Sequence, residues 1–482
     1  MLESRPNVVL IMPDQHRGSI LGCAGEPVIS TPNLDRIAAE GIRFSRTSSQ
    51  SPLCQPARAS FLTGRYPHQH GCIINERNFP SPEEPNFLHT LRAAGYHVAG
   101  VGKVHVGTVP RGEDRLSHLM QYGFNELDEA TGKISFLKGN NRYTRVLAEA
   151  GVLDSYRKDM LERIAKMADD RPGAFLRTFE VDGVDRQEPW YAGPAPVPPE
   201  LFIDNYVGRS AVEWIKGFDR EQPFCLWVGF CGPHDPYDAP QEYANPYLAR
   251  FASIPVGPFQ PPEPTPSERY NRLLEYFGVY SGTGRIQPEH VRRLKAFYYA
   301  NVSLIDDQIG AIQMALRERG FADNTWIVYT SDHGDMLGDH QMLSKVLMYK
   351  GALHVPLIIR PPGGIAGSVV DDPVELIDGP ATILDGLGLL PVRDSHARSL
   401  LPYLGEGHHP AKRDAVFAEV NAFSAVVTEG FKYVIERDTG APCLLFDLTT
   451  DPDENRNLAA ESGWIAVRQE LYRQFLAPFL AM

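Results

Sequence analysis

Four short stretches carry residue types that can hold a metal or move a proton. They are Asp14-Gln15-His16, Gly102-Lys103-Val104-His105, Gly232-Pro233-His234-Asp235 and Ser331-Asp332-His333-Gly334-Asp335. Each follows a short apolar run of strand type. Open parallel sheets bind ligands beyond the carboxyl ends of their strands, so all four are expected along one sheet edge. A polar turn is the ordinary reading of any one of them and a poor explanation of four. Asp14, Gln15, Asp332 and His333 offer carboxylate and amide oxygens with one imidazole, a hard donor set suited to Ca²⁺, Mg²⁺ or Mn²⁺ rather than to a thiolate zinc site. Capping of turns is the competing role for the two acids. Lys103 and His105 stand two residues apart and project to one face of an extended segment; a snorkelling lysine beside a surface histidine would share that spacing. Lys345 taken alone reads as a solvated lysine.

The segment Ser51-Pro-Leu-Cys54-Gln-Pro-Ala-Arg58-Ala-Ser60 adds a nucleophile. A cysteine at a helix N-terminus, four residues before an arginine, has a lowered thiol pKa and can act as a thiolate.

These residues need a rigid scaffold, and the chain has the pattern of one. Asn7–Met12, Tyr96–Val101, Phe224–Phe230, Thr325–Thr330 and Val355–Ile359 are short apolar runs of the kind buried on both faces of a parallel sheet. Helical stretches alternate with them, which predicts an α/β fold with a mostly parallel sheet. Thr31 is expected to cap a helix with Pro32 in its first turn and Gly41 as its stop. A second helix is expected over Ala57–Thr63 before Gly64, a long one over Glu289–Arg319 and another over Ala381–Leu387. Two inserted, lid-like regions are expected at about 125–200 and 240–285, the second containing the Pro-dense Ile254–Pro266. After about residue 405 the pattern becomes short strands, Asp414–Val420, Ser424–Thr428, Lys432–Glu436 and Leu444–Asp447, and then a helix from Ser462. The expected division is therefore a catalytic part over 1–405 and a small antiparallel sheet with a helix over 406–482.

Composition bounds the function. Of 482 residues, 47 are Lys or Arg and 60 Asp or Glu, a net charge of −13 that argues against nucleic acid or an anionic membrane as partner. At 43% hydrophobic and 22% charged the chain has material for a large core and lies far from disorder. The six cysteines, Cys23, Cys54, Cys72, Cys225, Cys231 and Cys443, have no CxxC spacing and read as free thiols. No signal-peptide or membrane-spanning pattern stands out, so a cytoplasmic location is expected.

Cys54-x-Pro56-x-Arg58 resembles the signature of the sulfatases, in which the cysteine is oxidised after translation to formylglycine. Asn7–Gln15, Thr31–Arg36, Cys54–Gly64, Gly102–His105, Pro233–Tyr237, Ser331–Asp339 and Phe446–Leu458 are similar to sulfatase blocks in the same order. The resemblance implies an alkaline-phosphatase-like fold, a large mixed sheet sandwiched by helices. It also implies one divalent cation, Ca²⁺ or Mn²⁺ ahead of Mg²⁺, on Asp14, Gln15, Asp332, His333 and the modified Cys54. Gln15 and His333 look more like the choline-sulfatase and phosphonate monoester hydrolase branches; Lys103 and His105 match sulfatases better. By the same match Arg58, Lys103 and Lys345 orient the nucleophile and offset charge on the transferring group. His234 is the leaving-group acid, His105 assists breakdown of the intermediate, and Asn75, Lys103, His234 and Lys345 contact substrate. A turn residue is the competing reading of Asn75.

The formylglycine hydrate would attack sulfur with one hydroxyl and expel sulfate on deprotonation of the other. The implied partners are a small sulfate, phosphate or phosphonate ester and a formylglycine-generating enzyme; a homo-oligomer stays open. Two other functions share these residues: a phosphonate monoester or phosphodiester hydrolase, and an anion-binding protein with unmodified Cys54. Trp190, Tyr191, Tyr237, Phe259 and Glu419 offer a cation–π and charged cradle for a quaternary ammonium leaving group, with ordinary lid packing as the alternative.

Overall fold

The computed structural model describes residues 5–109, 112–135, 139–167, 176–181, 184–189, 192–281, 286–405 and 412–482. Its strands are β1 (Asn7–Ile11), β2 (Ile42–Ser48), β3 (His97–Gly102), β4 (Glu126–Glu129), β5 (Leu176–Val181), β6 (Val184–Pro189), β7 (Phe224–Gly229), β8 (Thr325–Thr330), β9 (Leu357–Arg360) and β10 (Ser368–Glu375), followed by β11 (Ala415–Val420), β12 (Phe423–Thr428), β13 (Phe431–Glu436) and β14 (Pro442–Asp447). Eight of them form one sheet in the order β10-β2-β9-β8-β1-β7-β3-β4. Every pairing in it is parallel except those of β9. The last four form a separate antiparallel sheet, and β5 pairs with β6. The expected large mixed sheet with a smaller antiparallel one is therefore observed.

The apolar runs are buried on both faces for a visible reason. Val8 and Leu10 of β1 face a core shared with Phe61, Phe87, Leu91 and Ile383, from the helices Cys54–Thr63, Phe87–Ala93 and Asp378–Gly386. Val9 and Ile11 face the opposite core, with Ile203, Val207, Leu304 and Ile309 from the helices Ile203–Gly217 and Pro288–Glu318. Alternate side chains of a strand point to opposite faces, so helices on both sides require a continuous apolar run.

Several local expectations change. Thr31 does not cap the helix Pro32–Ala39 through its side chain; its hydroxyl donates to Asp35 and accepts from the Gly22 amide. The second helix begins at Cys54 itself. The 125–200 region is no loose lid throughout, because β4 pairs with β3 as the sheet edge and Tyr143 and Tyr156 enter the main core. In the 240–285 region, Lys295 Nζ donates to the carbonyls of Pro255 and Val256, which ties the Pro-dense stretch to the long helix. Among the described residues no helix is long and apolar enough to cross a membrane.

Candidate active site

The order β8-β1-β7-β3 lays four carboxyl ends side by side, and the four polar stretches follow them. Asp14 N donates to the carbonyls of Phe230 and Gly232, and Lys103 N to that of Gly229, so neighbouring strand ends lock each other in place. Close approach here needs glycine: a Cβ on Gly229 would overlap the Lys103 carbonyl. Gln15 lies in the left-handed region at φ 69°, a conformation disfavoured for a residue with a Cβ. Its backbone is held there by N–H donation to Asp332 Oδ1 at 3.1 Å and by Tyr298 Oη donating to its carbonyl at 2.7 Å.

Cys54 enters from the helix Cys54–Thr63, which continues from β2 and is buried along its length. Phe61 of this helix packs edge-on against Trp227 of β7. Asn75 Oδ1 accepts from the Gln55 amide at 3.0 Å, satisfying one of the unpaired donors at the helix start.

Around Cys54 Sγ stand His333 Nε2 at 3.1 Å, Lys345 Nζ at 3.4 Å and Asp14 Oδ1 at 3.8 Å. His105 hydrogen bonds to the same thiol. Arg58, four residues on, donates from Nε to Asp332 Oδ2 at 2.9 Å and from Nη1 to the carbonyls of Lys103 and Val104 at 3.3 and 3.1 Å. Its Nη2 is buried with no hydrogen-bond partner among the described residues, 3.9 Å from Asp14 Oδ2. Lys103 Nζ donates to the same Asp14 oxygen. Lys345 Nζ also donates to Gln15 Oε1 at 2.7 Å.

Electrostatics favour ions at this spot despite complete burial. Burial alone would raise the Cys54 thiol, but Lys345, Lys103 and His333 outweigh it and hold the thiol well below its ordinary range. Burial and the Cys54 charge push the Asp14 carboxyl up, and Lys103, His234 and Lys345 bring it below the usual carboxylate range. Burial opposes the Arg58 charge, and Asp332 and Asp14 more than restore it. For His105, burial and the neighbouring Lys103 both lower the imidazole pKa and favour the neutral ring. The other five cysteines behave oppositely: burial raises Cys23, Cys72, Cys225 and Cys443 to about 12 and Cys231 well above its ordinary value.

The donor set fits a divalent cation. One ligand atom each from Asp14, Cys54, Asp332 and His333 lies within 4.8 Å of the others. The His333 ring nitrogen Nδ1 is engaged with the Gly334 carbonyl at 2.9 Å, which leaves Nε2 directed at the cluster, the arrangement that orients a ligating imidazole. Gln15 is anchored beside it, with Nε2 donating to Asp235 Oδ1 at 3.1 Å and Asp335 Oδ2 at 2.6 Å.

Ten of the eleven site residues expected from sequence thus fall in or beside one cluster: Asp14, Gln15, Cys54, Arg58, Lys103, His105, Asp332, His333 and Lys345, with His234 close enough for its charge to act on Asp14. His234 Nδ1 is 2.5 Å from the Asp235 carbonyl, and its side chain is 16% exposed, so its other nitrogen can face a ligand. Asn75 is placed by its bond to the helix start. The quaternary-ammonium cradle is not assembled by the described residues. Glu419 is fully buried and already accepts from His68, Ser424 and Arg437, and the Tyr237 hydroxyl donates to Asp335. Trp190 and Tyr191 lie outside the described residues. Sequence reading missed Ser49, whose Oγ donates to the Asp332 carbonyl at 2.6 Å, and Ser331, whose Oγ accepts from the His16 amide. Ser331 was signalled by its place in the Ser331–Asp335 stretch, whereas nothing marked Ser49. His16 turns away from the cluster toward Tyr329 and the Ile20 carbonyl.

Comparison with known proteins agrees with this geometry. Residues 6–389 match the Sulfatase family model, and residues 338–478 match the model described as N-sulphoglucosamine sulphohydrolase, C-terminal. An arylsulfatase of Clostridium perfringens is 31% identical over 466 residues, 94% of this chain and 90% of that protein. A choline-sulfatase of Rhizobium meliloti is 30% identical over 483 residues, 95% and 83% of the two chains. The crystal structure of a phosphonate monoester hydrolase of Agrobacterium radiobacter superposes with a TM-score of 0.80 at 28% identity, covering 99% of this chain and 96% of the other. By motif, fold and family match together, the chain belongs to the sulfatase family of hydrolases, within the alkaline phosphatase superfamily.

Proposed function

We propose that the chain hydrolyses sulfate esters, with Cys54 converted to formylglycine as the nucleophile and a divalent cation at the cluster. The observation that carries this reading is the surroundings of Cys54: His333, Lys345, His105 and Asp14 converge on its side chain at a helix N-terminus. Asp14, Gln15, Asp332 and His333 would hold the cation, Ca²⁺ or Mn²⁺ ahead of Mg²⁺, which supplies Lewis-acid neutralisation of the anionic ester. Formylglycine at residue 54 would supply, through its hydrate, one hydroxyl that displaces the alcohol from sulfur and a second whose deprotonation would expel sulfate and restore the aldehyde.

The chain's own residues do the rest. Arg58 keeps Asp332 and the Lys103 segment in place. Lys345 reaches the side chain of residue 54 and Lys103 reaches Asp14 beside it, and these two buried ammonium groups offset charge on the transferring group. His105 touches the side chain of residue 54 and favours its neutral form, so it can take the proton whose loss breaks down the intermediate. His234, partly exposed and held through Nδ1, can give a proton from Nε2 to the leaving oxygen. Asn75, which steadies the helix start next to residue 54, is assigned to substrate contact. Residues 1–405 form the catalytic part of this scheme and 406–482 the smaller part. A formylglycine-generating enzyme is the maturation partner, and six free cysteines support the cytoplasm as location.

A second reading has its own support. Two phosphonate monoester hydrolases superpose at TM-scores of 0.80 and 0.78, and Gln15 with His333 fits that branch, which favours phosphonate monoesters or phosphodiesters with side activity on sulfates. A choline-sulfatase-like alkylsulfatase is the third variant, supported by the Rhizobium meliloti relative. Measuring kcat/KM for aryl sulfate, alkyl sulfate, phosphodiester and phosphonate monoester on one fully converted preparation decides between them. Sulfate preference is expected; preference for the phosphorus esters by orders of magnitude would overturn the first reading.

A further inference from the structure

We propose that Asp335 is a positioning residue that sets which end of the Gln15 amide faces the cation cluster. Its two oxygens tie together three separate stretches of the site. Oδ2 accepts from Gln15 Nε2 at 2.6 Å and from Tyr237 Oη at 2.8 Å. Oδ1 accepts from the backbone amides of Leu337 at 2.9 Å and Ser344 at 3.0 Å. Ser344 precedes Lys345, and Tyr237 follows His234 by three residues. All four contacts are donations to oxygen, the pattern of an acceptor-only carboxylate.

The consequence for Gln15 is a fixed orientation. Asp335 and Asp235 both accept from the same Gln15 nitrogen, so an amide oxygen in that place would meet two carboxylate oxygens. The carbonyl end must therefore turn toward Lys345 Nζ, and with it toward Cys54. The same contacts account for an amide rather than an acid at position 15, since a carboxylate there would be the third negative group in contact. Burial and the Asp235 charge raise the Asp335 carboxyl, opposed by Gln15, Leu337 and Tyr237.

Reciprocal exchange of the two functional groups tests this. In D335N the two backbone amides still demand oxygen at the Oδ1 position, so the new NH₂ points at Gln15 Nε2 and Tyr237. Donor then faces donor, and the Gln15 amide must flip or leave its place. In Q15E/D335N the asparagine donates to one glutamate oxygen, which then meets a single carboxylate, that of Asp235, and the other oxygen faces the cluster again. The readout is Mn²⁺ affinity of the metal-stripped full chain, by equilibrium dialysis and by the electron paramagnetic resonance signal of the bound ion. Loss of an outer partner of this type costs about tenfold to a hundredfold in metal affinity. That loss is expected for D335N and for Q15E alone, with most of it recovered in Q15E/D335N, a recovery that a merely structural role of Asp335 would not produce. D335N binding Mn²⁺ as tightly as the unsubstituted chain, or a double variant no tighter than D335N, overturns the proposal. If D335N does not fold, Q15E against Q15E/D335N carries the same decision. The inference rests on Gln15 as a cation ligand: an unsubstituted chain that binds no Mn²⁺ overturns both readings, whereas tight binding indifferent to residue 335 overturns this one alone.

Discussion

Replacing Lys345 with methionine keeps the length of the side chain and deletes one charge at 3.4 Å from Cys54 Sγ. With an effective dielectric of about 20, a charge pair at that separation is worth about 5 kcal/mol. At about 1.4 kcal/mol per pH unit, its loss raises the thiol pKa by about 3.5. Lys103 and His333 remain, so the thiol of K345M is expected to titrate above that of the unsubstituted chain, which Lys345, Lys103 and His333 together hold well below the ordinary thiol range. The sign is fixed by the charge: removing a cation disfavours the thiolate. Ultraviolet thiolate absorbance of metal-stripped, unconverted protein follows the titration, with C54S subtracted as the baseline. The other thiols do not interfere, because burial holds four of them at about 12 and raises Cys231 well above its ordinary value. A titration that K345M leaves unmoved would refute the claim that this ammonium sets the charge of residue 54.

Arg58→Leu strands Asp332 and Asp14 without their buried guanidinium; removing one partner of a buried pair costs about 3–5 kcal/mol, to be read in urea unfolding of the metal-stripped protein. Gly229→Ala is expected to displace the Lys103 backbone and abolish turnover while the protein stays folded by circular dichroism; full activity would refute the close packing of β7 and β3 as a device that places Lys103. His234→Ala should lose more activity with an alkyl sulfate than with an activated aryl sulfate, because a good leaving group needs no acid. His105→Ala should lose similarly with both and accumulate a covalent intermediate detectable by intact mass; identical leaving-group dependence in the two variants would reject the division of labour.

Much of this site was legible because the sheet rule turns sequence into place. Asp14, Lys103, His234 and Asp332 each follow a strand whose residues are buried on both faces, and such strands announce themselves as apolar runs. The strands β2 and β10 do not. Arg43, Ser45 and Arg46, all partly exposed, interrupt β2, which pairs with β9 only at Ile42 and Arg43. Strand β10 lies at the sheet edge, opens with exposed residues and shifts register between Val370 and Pro373. Edge strands need only half a hydrophobic pattern. The outer layer of the site was the least legible. Gln15, Tyr237, Leu337 and Ser344 meet at Asp335 only after the chain has folded, and no local pattern encodes four donors converging on one carboxylate. Thr31 shows the opposite failure, a sound local cap signal overridden because Asp35 and Gly22 offered its hydroxyl better partners.

Residue 54 of the working enzyme is expected to be a cysteine no longer. Mass spectrometry of the tryptic peptide Thr47–Arg58, from protein whose specific activity toward an aryl sulfate has just been measured, tests it most directly. The expected peptide is lighter by the difference between a thiomethyl and an aldehyde side chain, with activity proportional to the converted fraction. Full activity from a preparation in which that peptide carries only an unmodified thiol would contradict it.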